Sequence, residues 1–222
     1  SKPNRDFAAS RGEFLNGKIL AAFLGFEFID AAEIITFNTN GMLLLDETVK
    51  KIRARIDGIN HAVVPGFYGS TTEGTVKTFS RGGSDVTGSI LANAVKASIY
   101  ENWTDVSGFL VTDPRIVDNP EVINVITYKE LRELAYMGAS VLHEDAIFPV
   151  RTAGIPINIK NTNRPEDAGT MIVSDDHDFN DDSTAHTITG IAGRKGFSTI
   201  NIENAMMNSE MGFGMKVLKV LA

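Results

Sequence analysis

The chain contains 222 residues, of which 43% are hydrophobic, so it can form a substantial core and differs from disordered polypeptides. Its formal net charge is −7, which argues against a broad electrostatic surface for nucleic acid but leaves room for a local basic site. The absence of cysteine excludes disulfides and thiolate metal sites, and it favours a reducing compartment such as the cytoplasm.

The first predicted element is a helix that begins at Ser10. No segment before it resembles a signal peptide, and no apolar run approaches the roughly 20 residues of a membrane-spanning helix. Ser10 and Glu13 have the spacing of a capping box, which marks the start of a helix. Apolar residues follow at helical spacing and predict one buried face, formed by Leu15, Ile19, Ala22, Phe23 and Phe26.

Strands and helices then alternate along the chain. We predict strands over residues 33–37, 62–64, 97–100 and 155–159, and an exposed hairpin over residues 71–80. We predict helices over residues 46–57, after residues 81–85, over residues 127–138 with a capping box of Thr127 and Glu130, and over residues 144–153 with a break or kink at Pro149. This alternation predicts a mostly parallel sheet covered on both faces by helices.

The composition changes after residue 173. Residues 174–182, SDDHDFNDD, indicate a solvated linker, because they lack the glycine and terminal glutamate of a calcium-binding EF-hand loop. A strand-like stretch over residues 187–191 then begins a new unit, which is short for an independent domain. The four histidines show no metal-ligand spacing, so we predict no metal site, and no G-x-x-x-x-G-K-[ST] motif of a P-loop kinase is present.

The sharpest candidate site is the segment RGGSD at residues 81–85. Gly82 and Gly83 allow the backbone to approach a ligand closely, and Ser84 and Asp85 stand at a helix N-terminus, where free N–H groups favour an anion. Arg81 adds a planar, permanently charged fork suited to a carboxylate or phosphate. The alternative interpretation is a loop followed by an ordinary Ser/Asp helix cap.

A second glycine loop, GFYGS, occupies residues 66–70 at the end of a predicted strand. Gly66, Gly69 and Ser70 are candidate ligand contacts, because ligands of open α/β sheets bind beyond the carboxyl ends of strands. The alternative is a plain turn from a strand into a hairpin.

Small hydroxyls and carboxylates follow another strand in the segments WTD and TDPR. Thr104, Asp105, Asp113 and Arg115 are suited to hold a ribose, an adenine edge or a phosphate-bound metal, although both segments also fit simple Asx-type turns. Glu13 likewise has two interpretations, as the third residue of a capping box or as a carboxylate that faces a ligand ammonium.

The order of these pieces resembles a known family. In sequence they are SRGEFLNGKILA, VPGFYGSTTEGTVKTFSRGGSD, ENWTDVSGFLVTDPR, ELAYMGASVLHEDAIFPV and IPINIKNTNRPEDAGT, and together they resemble the catalytic domain of aspartokinases in the amino-acid kinase family. The tail, TITGIAGRKGFSTINIENAMMNSEMGFGMKVLKVL, resembles the opening of the regulatory ACT region of that family. The resemblance implies a three-layer α/β/α sandwich over residues 1–173, an acidic linker over residues 174–184 and a truncated ACT-like βαβ piece over residues 185–222.

The resemblance also implies an activity. Aspartokinases transfer the γ-phosphoryl group of ATP, which carries Mg²⁺, to the side-chain carboxylate of L-aspartate, and the product is 4-phospho-L-aspartate. This reaction is the first step of lysine, threonine and methionine biosynthesis in the cytoplasm. By resemblance we expect a homodimer or larger assembly, feedback regulation by lysine or threonine through the ACT region, and no nucleic-acid or membrane partner.

Residue roles are carried over position by position. Glu13 matches the glutamate that binds the aspartate ammonium, the segment from Arg81 to Ser84 matches the motif that holds its carboxylates, and Asp85 matches the aspartate that orients the catalytic lysine. With Arg81 and Asp85 as the expected catalytic residues, the expected nucleotide-binding positions are Gly66, Gly69, Ser70, Thr104, Asp105, Asp113, Arg115 and Asn163.

Three features depart from the family pattern. Leu110 stands where an aromatic nucleotide contact is common, and Asn163, beside Arg164, stands where some members have a lysine. The family's first strand and its Lys-Phe-Gly-Gly-Ser/Thr loop, which places a lysine on the ATP phosphates, have no counterpart in this sequence. We therefore expect this chain alone to be close to inactive.

The predicted residues fit the chemistry of carboxylate phosphorylation. An aspartate side chain is already ionised at pH 7, so catalysis requires positioning and charge neutralisation more than a strong base. The alternatives are another member of the family, such as a glutamate or carbamate kinase, a non-catalytic amino-acid-binding regulatory fragment, and an α/β scaffold whose motifs are only turns and caps.

Overall fold

Helices and strands alternate along the part of the chain that the structure describes. The computed structural model describes residues 4–136, 142, 144–176, 188–193, 195–196, 198–203, 207 and 211–221. Its helices are α1 (Arg5–Leu24), α2 (Ala31–Ile34), α3 (Leu45–Ile56), α4 (Gly83–Val95), α5 (Tyr128–Tyr136), α6 (Glu144–Thr152) and α7 (Phe213–Leu221). Its strands are β1 (Glu27–Phe28), β2 (Thr36–Phe37), β3 (Ala62–Val63), β4 (Tyr68–Thr71), β5 (Val76–Thr78), β6 (Tyr100–Thr104), β7 (Val125–Thr127), β8 (Ile157–Asn161) and β9 (Thr170–Val173).

Within the described residues the strands pair in three sheets. Strand β1 pairs with β3, the second sheet has the order β2-β4-β5, and the third has the order β6-β8-β9-β7. Four of these pairings are parallel, whereas β4–β5 and β8–β9 are antiparallel. The predicted α/β fold with mostly parallel pairing is therefore confirmed.

Helix α1 begins earlier than the sequence predicts. The side chain of Asn4 accepts a hydrogen bond from the backbone N–H of Phe7 at 2.7 Å and caps the helix, which ends at Gly25 in a left-handed conformation. Ser10 lies inside the helix, where it is buried and its hydroxyl donates to the carbonyl of Phe7. The predicted capping box at Ser10 is therefore wrong, because an earlier asparagine satisfies the free N–H groups of the first turn.

The predicted buried face of α1 is also wrong. Leu15, Ile19 and Phe23 are 57%, 69% and 84% exposed, respectively. The helix instead packs through small residues, since a β-carbon on Gly17 would already lie 3.3 Å from the ring of Phe28 and 3.4 Å from Pro65. Apolar spacing alone did not distinguish the two faces, because both carry apolar side chains.

Most of the other predicted elements appear near their expected positions. Helices α3, α4, α5 and α6 are confirmed, as are strand β3 and the hairpin of β4 and β5. Helix α6 continues through Pro149, so the predicted break is absent. The predicted strand over residues 97–100 is wrong, because α4 ends at Lys96 in a left-handed conformation and β6 begins only at Tyr100. The strand predicted over residues 33–37 is only partly present: Glu33 and Ile34 belong to α2, which the Asp30 carboxylate caps, and β2 comprises only Thr36–Phe37.

The C-terminal region gives less secondary structure than expected. Residues 188–191 form no strand, whereas residue 187 and most of the predicted linker lie outside the described residues. Strand β8 is shifted two residues from the predicted range, and β7, β9 and α7 were not predicted. The ACT-like βαβ piece therefore stays a prediction.

Helix α4 connects two hydrophobic cores. One core includes Ile35, Phe37 and Tyr68, and α4 contributes Ile90 to it. The other includes residues of β7, β8 and β9, and α4 contributes Ala92 to it. Because one helix is anchored in both cores, its N-terminus is held at the boundary between them.

The capping box of α5 is confirmed, and its glutamate, Glu130, also binds a residue outside the helix. The carboxylate of Glu130 accepts the backbone N–H of Thr127 at 2.9 Å, and the Thr127 hydroxyl accepts the backbone N–H of Glu130 at 3.2 Å. The second oxygen of Glu130 accepts the hydroxyl of Thr189, and the backbone N–H of Ile191 donates to the carbonyl of Val111 at 2.7 Å. One carboxylate thus caps α5 and holds a segment that follows the acidic stretch.

We expect Glu130 to make the stability of the chain depend on pH in the acid range. Burial acts to raise the pKa of Glu130, but hydrogen bonds from Thr189 and Thr127 outweigh it and leave the pKa below its ordinary value of 4.5. A lowered carboxyl pKa stabilises the fold above pH 4.5, and this stabilisation is lost as the pH falls through the folded pKa. Glu130→Gln should lower the free energy of unfolding at pH 7 by about 1 kcal/mol, the usual cost of a lost cap.

Urea titrations at pH 7 and at successively lower pH test this expectation. The difference between the parent chain and Glu130→Gln should shrink as the pH falls through the lowered pKa of the folded state, where the parent carboxylate becomes protonated. Glu133→Gln, on the same helix, is a matched control because Glu133 is exposed and, within the described ranges, pairs only with the neighbouring Arg132. If the difference in the free energy of unfolding between the parent chain and Glu130→Gln stays the same at low pH, the stabilisation does not come from the charge of Glu130.

Candidate functional site

The N-terminus of α4 is built from two glycines. Gly82 precedes the helix with φ 56° and ψ 27°, and no side chain caps the helix there. A β-carbon on Gly83 would lie 2.6 Å from the β-carbon of Phe67 and 2.7 Å from its α-carbon, so only glycine fits without a shift. The free N–H groups of the first turn therefore point toward a place that a ligand anion can occupy.

A strained loop packs against this helix start. Phe67 has φ 61°, a conformation that costs a bulky residue of the order of 1–3 kcal/mol. Its backbone N–H donates to the hydroxyl of Thr87 at 3.1 Å, and a β-carbon on Gly66 would lie 3.2 Å from the Ser84 α-carbon. Strained residues of this kind are concentrated at binding and catalytic sites. The sequence did not single out Phe67, because its conformation depends on contacts with a helix about 20 residues away.

A hydrogen bond from strand β6 holds the Asp85 side chain. The side-chain amide of Asn102 donates to one carboxylate oxygen of Asp85 at 2.9 Å and to the phenol oxygen of Tyr100 at 3.1 Å. The sequence analysis missed Asn102. The signal was a polar residue at an inward-facing position of a strand, which requires a buried partner.

Three predicted substrate residues have polar groups available for a ligand. Among the residues that the structure describes, the side chains of Glu13, Arg81 and Ser84 have no hydrogen bond or ion pair. Arg81 and Ser84 are exposed, whereas Glu13 is half-buried. A carboxylate, a guanidinium and a hydroxyl without internal partners can each bind one polar group of an amphoteric ligand such as an amino acid.

A large cavity opens beside this helix start. Its volume is about 1450 Å³, and its wall follows the carboxyl ends of the parallel strands β6 and β8. Predicted site residues in the wall are Arg81, Asp105, Asp113 and Arg115. Arg81 therefore belongs both to the segment before α4 and to the cavity. The Leu110 position that departs from the family pattern also lines it.

Asp113 and Arg115 form an ion pair at the mouth of the cavity. The Arg115 guanidinium donates to both Asp113 oxygens, with the closest contact at 2.6 Å, and this pairing lowers the pKa of Asp113 to about 2. Arg115 is 87% exposed, so water screens the pair and the pairing contributes little to stability. An incoming phosphate can therefore replace Asp113 as the partner of Arg115 at low cost.

Several predicted nucleotide positions do not line the cavity. A β-carbon on Gly69 would lie 2.5 Å from the Ile35 carbonyl oxygen, so this glycine allows two strands to approach, and the Ser70 hydroxyl donates to the Ala32 carbonyl. Gly66, Thr104 and Asn163 also lie outside the cavity wall. The structure thus uses Gly69 and Ser70 within the fold, and it brings neither of them to the cavity.

Sequence reasoning missed a polar network in the cavity wall. The Ser107 hydroxyl donates to Asp167 at 2.6 Å and accepts from the side-chain amide of Asn161 at 2.9 Å. Asp167 also pairs with Arg164 at 3.3 Å. These contacts join the loops after β6 and β8 and fix the shape of the wall. Ser107 lies 54 positions from Asn161 and 60 positions from Asp167, and no local motif predicted these contacts.

The described residues contain neither a metal cluster nor a membrane-spanning helix. Within those ranges, no three histidine, aspartate or glutamate side chains lie close enough together to hold a metal ion. No helix in the described part of the chain combines the length and apolar character needed to cross a membrane.

Groups suited to bind an anion lie at a helix N-terminus and beyond the carboxyl ends of parallel strands, an arrangement found in α/β proteins that bind phosphorylated ligands. Residues 1–161 match the Amino acid kinase family, and the chain belongs to this family.

Within the family, the chain is similar to aspartokinases. It is 40% identical to aspartokinase 3 of Bacillus subtilis (strain 168) over 97% of this chain and 48% of the relative. The crystal structure of Clostridium acetobutylicum aspartate kinase superposes with a TM-score of 0.86 at 59% identity, covering 99% of this chain and 49% of that one. Escherichia coli aspartokinase III in complex with aspartate and ADP gives a TM-score of 0.69 at 28% identity over 78% of this chain and 41% of that one. The chain thus spans about half the length of the relatives it matches.

Proposed function

We propose that this chain is the catalytic part of an aspartate kinase. In this proposal the protein transfers the γ-phosphoryl group of ATP to the side-chain carboxylate of L-aspartate and forms 4-phospho-L-aspartate. The nucleophile is a carboxylate oxygen, the new bond joins it to the γ-phosphorus, and ADP leaves with the electrons of the broken phosphoanhydride bond. Because the carboxylate is already ionised, no proton has to be removed from it.

The observation that carries the proposal is the position of Arg81. This residue precedes the uncapped N-terminus of α4 and also lines the cavity that contains Asp105 and Arg115. A carboxylate bound by Arg81 and the helix N–H groups would therefore adjoin the phosphates of a nucleotide in the cavity. In-line transfer between two anions requires this adjacency together with positive charge between them.

The comparisons support the choice of ligands. The E. coli relative was solved with aspartate and ADP, one amino acid and one nucleotide. In this chain Glu13 has a carboxylate without an internal partner among the described residues, which suits the ammonium of an amino acid. Arg81 and the backbone of Gly82 and Gly83 suit its carboxylates. Asp105, Asp113 and Arg115 in the cavity wall suit the nucleotide.

Magnesium enters this proposal with the nucleotide. Mg²⁺ keeps several water ligands and commonly binds through one or two carboxylates plus substrate phosphates. Asp105 and Asp113 both line the cavity and belong to the predicted nucleotide segments. When bound, the ion would neutralise part of the charge on the phosphates, and the side chains of this chain would orient the two substrates.

Regulation and assembly are part of the same proposal. The E. coli relative was also solved in complex with lysine and aspartate, at a TM-score of 0.68 and 28% identity over 76% of this chain and 40% of that one. We propose that lysine or threonine regulates the protein through an ACT region over residues 185–222. We also propose that the protein is a homodimer or larger and works in the cytoplasm. The apolar side chains of α7 are exposed, which supports a packing partner for that region beyond the described residues.

A substrate panel tests the proposed function. ADP release should require L-aspartate and should be much slower with L-glutamate or carbamate. Calorimetric titrations with Mg·ATP and with L-aspartate should be run beside the assay, because a slow chain can still bind its substrates. Preference for glutamate or carbamate would select the alternative family members. Lysine binding without nucleotide binding would instead favour a purely regulatory fragment.

A further inference from the structure

The inward face of β6 carries two polar residues that pack against α4. Tyr100 lies so close to the helix that a β-carbon on Gly88 would be 2.5 Å from its phenol oxygen. Asn102, two positions along the same strand, is only 9% exposed. A buried amide and a half-buried phenol at this place need partners, because an unpaired buried polar group is costly.

The partners form a short chain that ends on Asp85. Both hydrogens of the Asn102 amide are used, one on the Oδ1 atom of Asp85 at 2.9 Å and one on the Tyr100 oxygen at 3.1 Å. The other carboxylate oxygen of Asp85, Oδ2, has no partner among the residues that the structure describes. One oxygen is thus fixed by the strand, and the other remains available to the site.

We infer that Asn102, braced by Tyr100, is a positioning residue that fixes the Asp85 carboxylate and leaves its Oδ2 atom to face a cationic group beside the transferred phosphoryl. This inference rests on the proposed kinase function. Asp85 stands at the first turn of α4, between the helix N-terminus and the strand, so a rotation about its side-chain bonds would move the free oxygen away from the site.

The chemistry of the amide suits this role better than that of other side chains of its size. Aspartate at position 102 would oppose the Asp85 charge at about hydrogen-bond distance, whereas leucine would remove both donors. Burial raises the pKa of Tyr100 to about 12; the hydrogen bond from Asn102 acts against this rise, and the charge of Asp85 adds to it. Tyr100 therefore keeps its proton at neutral pH and accepts the amide hydrogen as a stable neutral group.

The experiment compares Asn102→Leu with Asn158→Leu in the full chain. Asn158 is a matched control because it is half-buried on the adjacent strand β8, does not contact Asp85, and has a buried side-chain oxygen without a partner. Three quantities are measured: the unfolding temperature, kcat and KM for L-aspartate, and the Asp85 side-chain conformation in crystal structures of both variants.

For Asn102→Leu we expect kcat to fall by about tenfold or more, with a change in KM below about threefold, because the substrate carboxylates are held by other groups. The Asp85 side chain should rotate or occupy two conformers. Asn158→Leu should retain the parental kcat and the parental Asp85 conformation. Tyr100→Phe, which removes only the brace, should give an intermediate loss of kcat.

Two results would overturn the inference. In the first, Asn102→Leu keeps the parental kcat and Asp85 conformation; in the second, kcat falls while the Asp85 side chain stays in place. If the parent chain neither turns over nor binds aspartate and nucleotide, the proposed function fails instead. The crystal structures then decide the positioning role separately, since the conformation of Asp85 is observable without activity.

Discussion

Replacing Arg81 by alanine is expected to weaken the binding of L-aspartate by about 10- to 150-fold while leaving the chain folded. A hydrogen bond to a charged group contributes about 1.5–3 kcal/mol, and each 1.4 kcal/mol changes an equilibrium constant tenfold. Arg81 is exposed and has no internal partner in the described part of the chain, so its removal breaks no contact of the fold. Isothermal titration with L-aspartate measures the effect.

Arg115→Ala provides the matched comparison. Arg115 also lines the cavity, but on the loop after β6, where its partner is Asp113. We expect Arg115→Ala to weaken Mg·ATP binding and to leave aspartate binding close to the parental value. Arg81→Lys should recover only part of the loss, because lysine keeps the charge but not the planar fork. Equal losses of both ligands in both arginine variants would contradict two separate subsites.

The sequence predicted those parts of the site whose geometry is local. Residues 81–85 contain two glycines at the start of a helix, and that pattern predicted a helix N-terminus with nearby charge, while an ordinary Ser/Asp cap remained the alternative. Asp113 and Arg115 are two positions apart and were found for the same reason. Periodicity also placed α3, α5 and the hairpin, because their apolar stripe or turn signals occur within a few residues.

The parts that were missed depend on contacts between distant segments. Asn102 meets Asp85 across 17 positions, and Ser107 meets Asp167 across 60 positions. Neither contact follows from spacing, since the pairing register of β6 and β8 and the docking of α4 determine both.

The error in the predicted buried face of α1 has a similar cause. The helix carries apolar residues on two faces, and only the position of Pro65 and Phe28 decides which face is buried.

Gly69 shows that a sequence motif can also suggest a ligand contact at a residue that the structure uses for packing. A glycine at the end of a strand suggests a ligand, yet here its missing side chain admits the backbone of Ile35. Gly83 lacks a side chain for a comparable packing reason, its contact with Phe67, and still stands at the site. A glycine pattern therefore locates a close approach, whereas the identity of the approaching group has to come from the structure.

Gly169→Ala is expected to have the largest effect on stability. Gly169 is buried with φ 76°, and an added β-carbon would overlap the carbonyl oxygen of Ile159 on the neighbouring strand. The left-handed backbone costs a non-glycine residue about 1–2 kcal/mol, and overpacking adds about 1–3 kcal/mol. We therefore expect the free energy of unfolding, measured by urea titration, to fall by about 2–5 kcal/mol.

Gly154→Ala separates the cost of the left-handed backbone conformation from the cost of overpacking. Gly154 has a similar φ of 65°, but it is exposed and an added β-carbon would meet nothing within 4 Å. This variant should lose only the conformational part, about 1–2 kcal/mol. Because Gly169 also lines the cavity beside Asp167, Gly169→Ala should in addition weaken Mg·ATP binding, whereas Gly154→Ala should not. If both variants lower the free energy of unfolding by the same amount, the backbone conformation alone explains the cost of replacing Gly169. The close approach of Ile159 on β8 would then make no contribution.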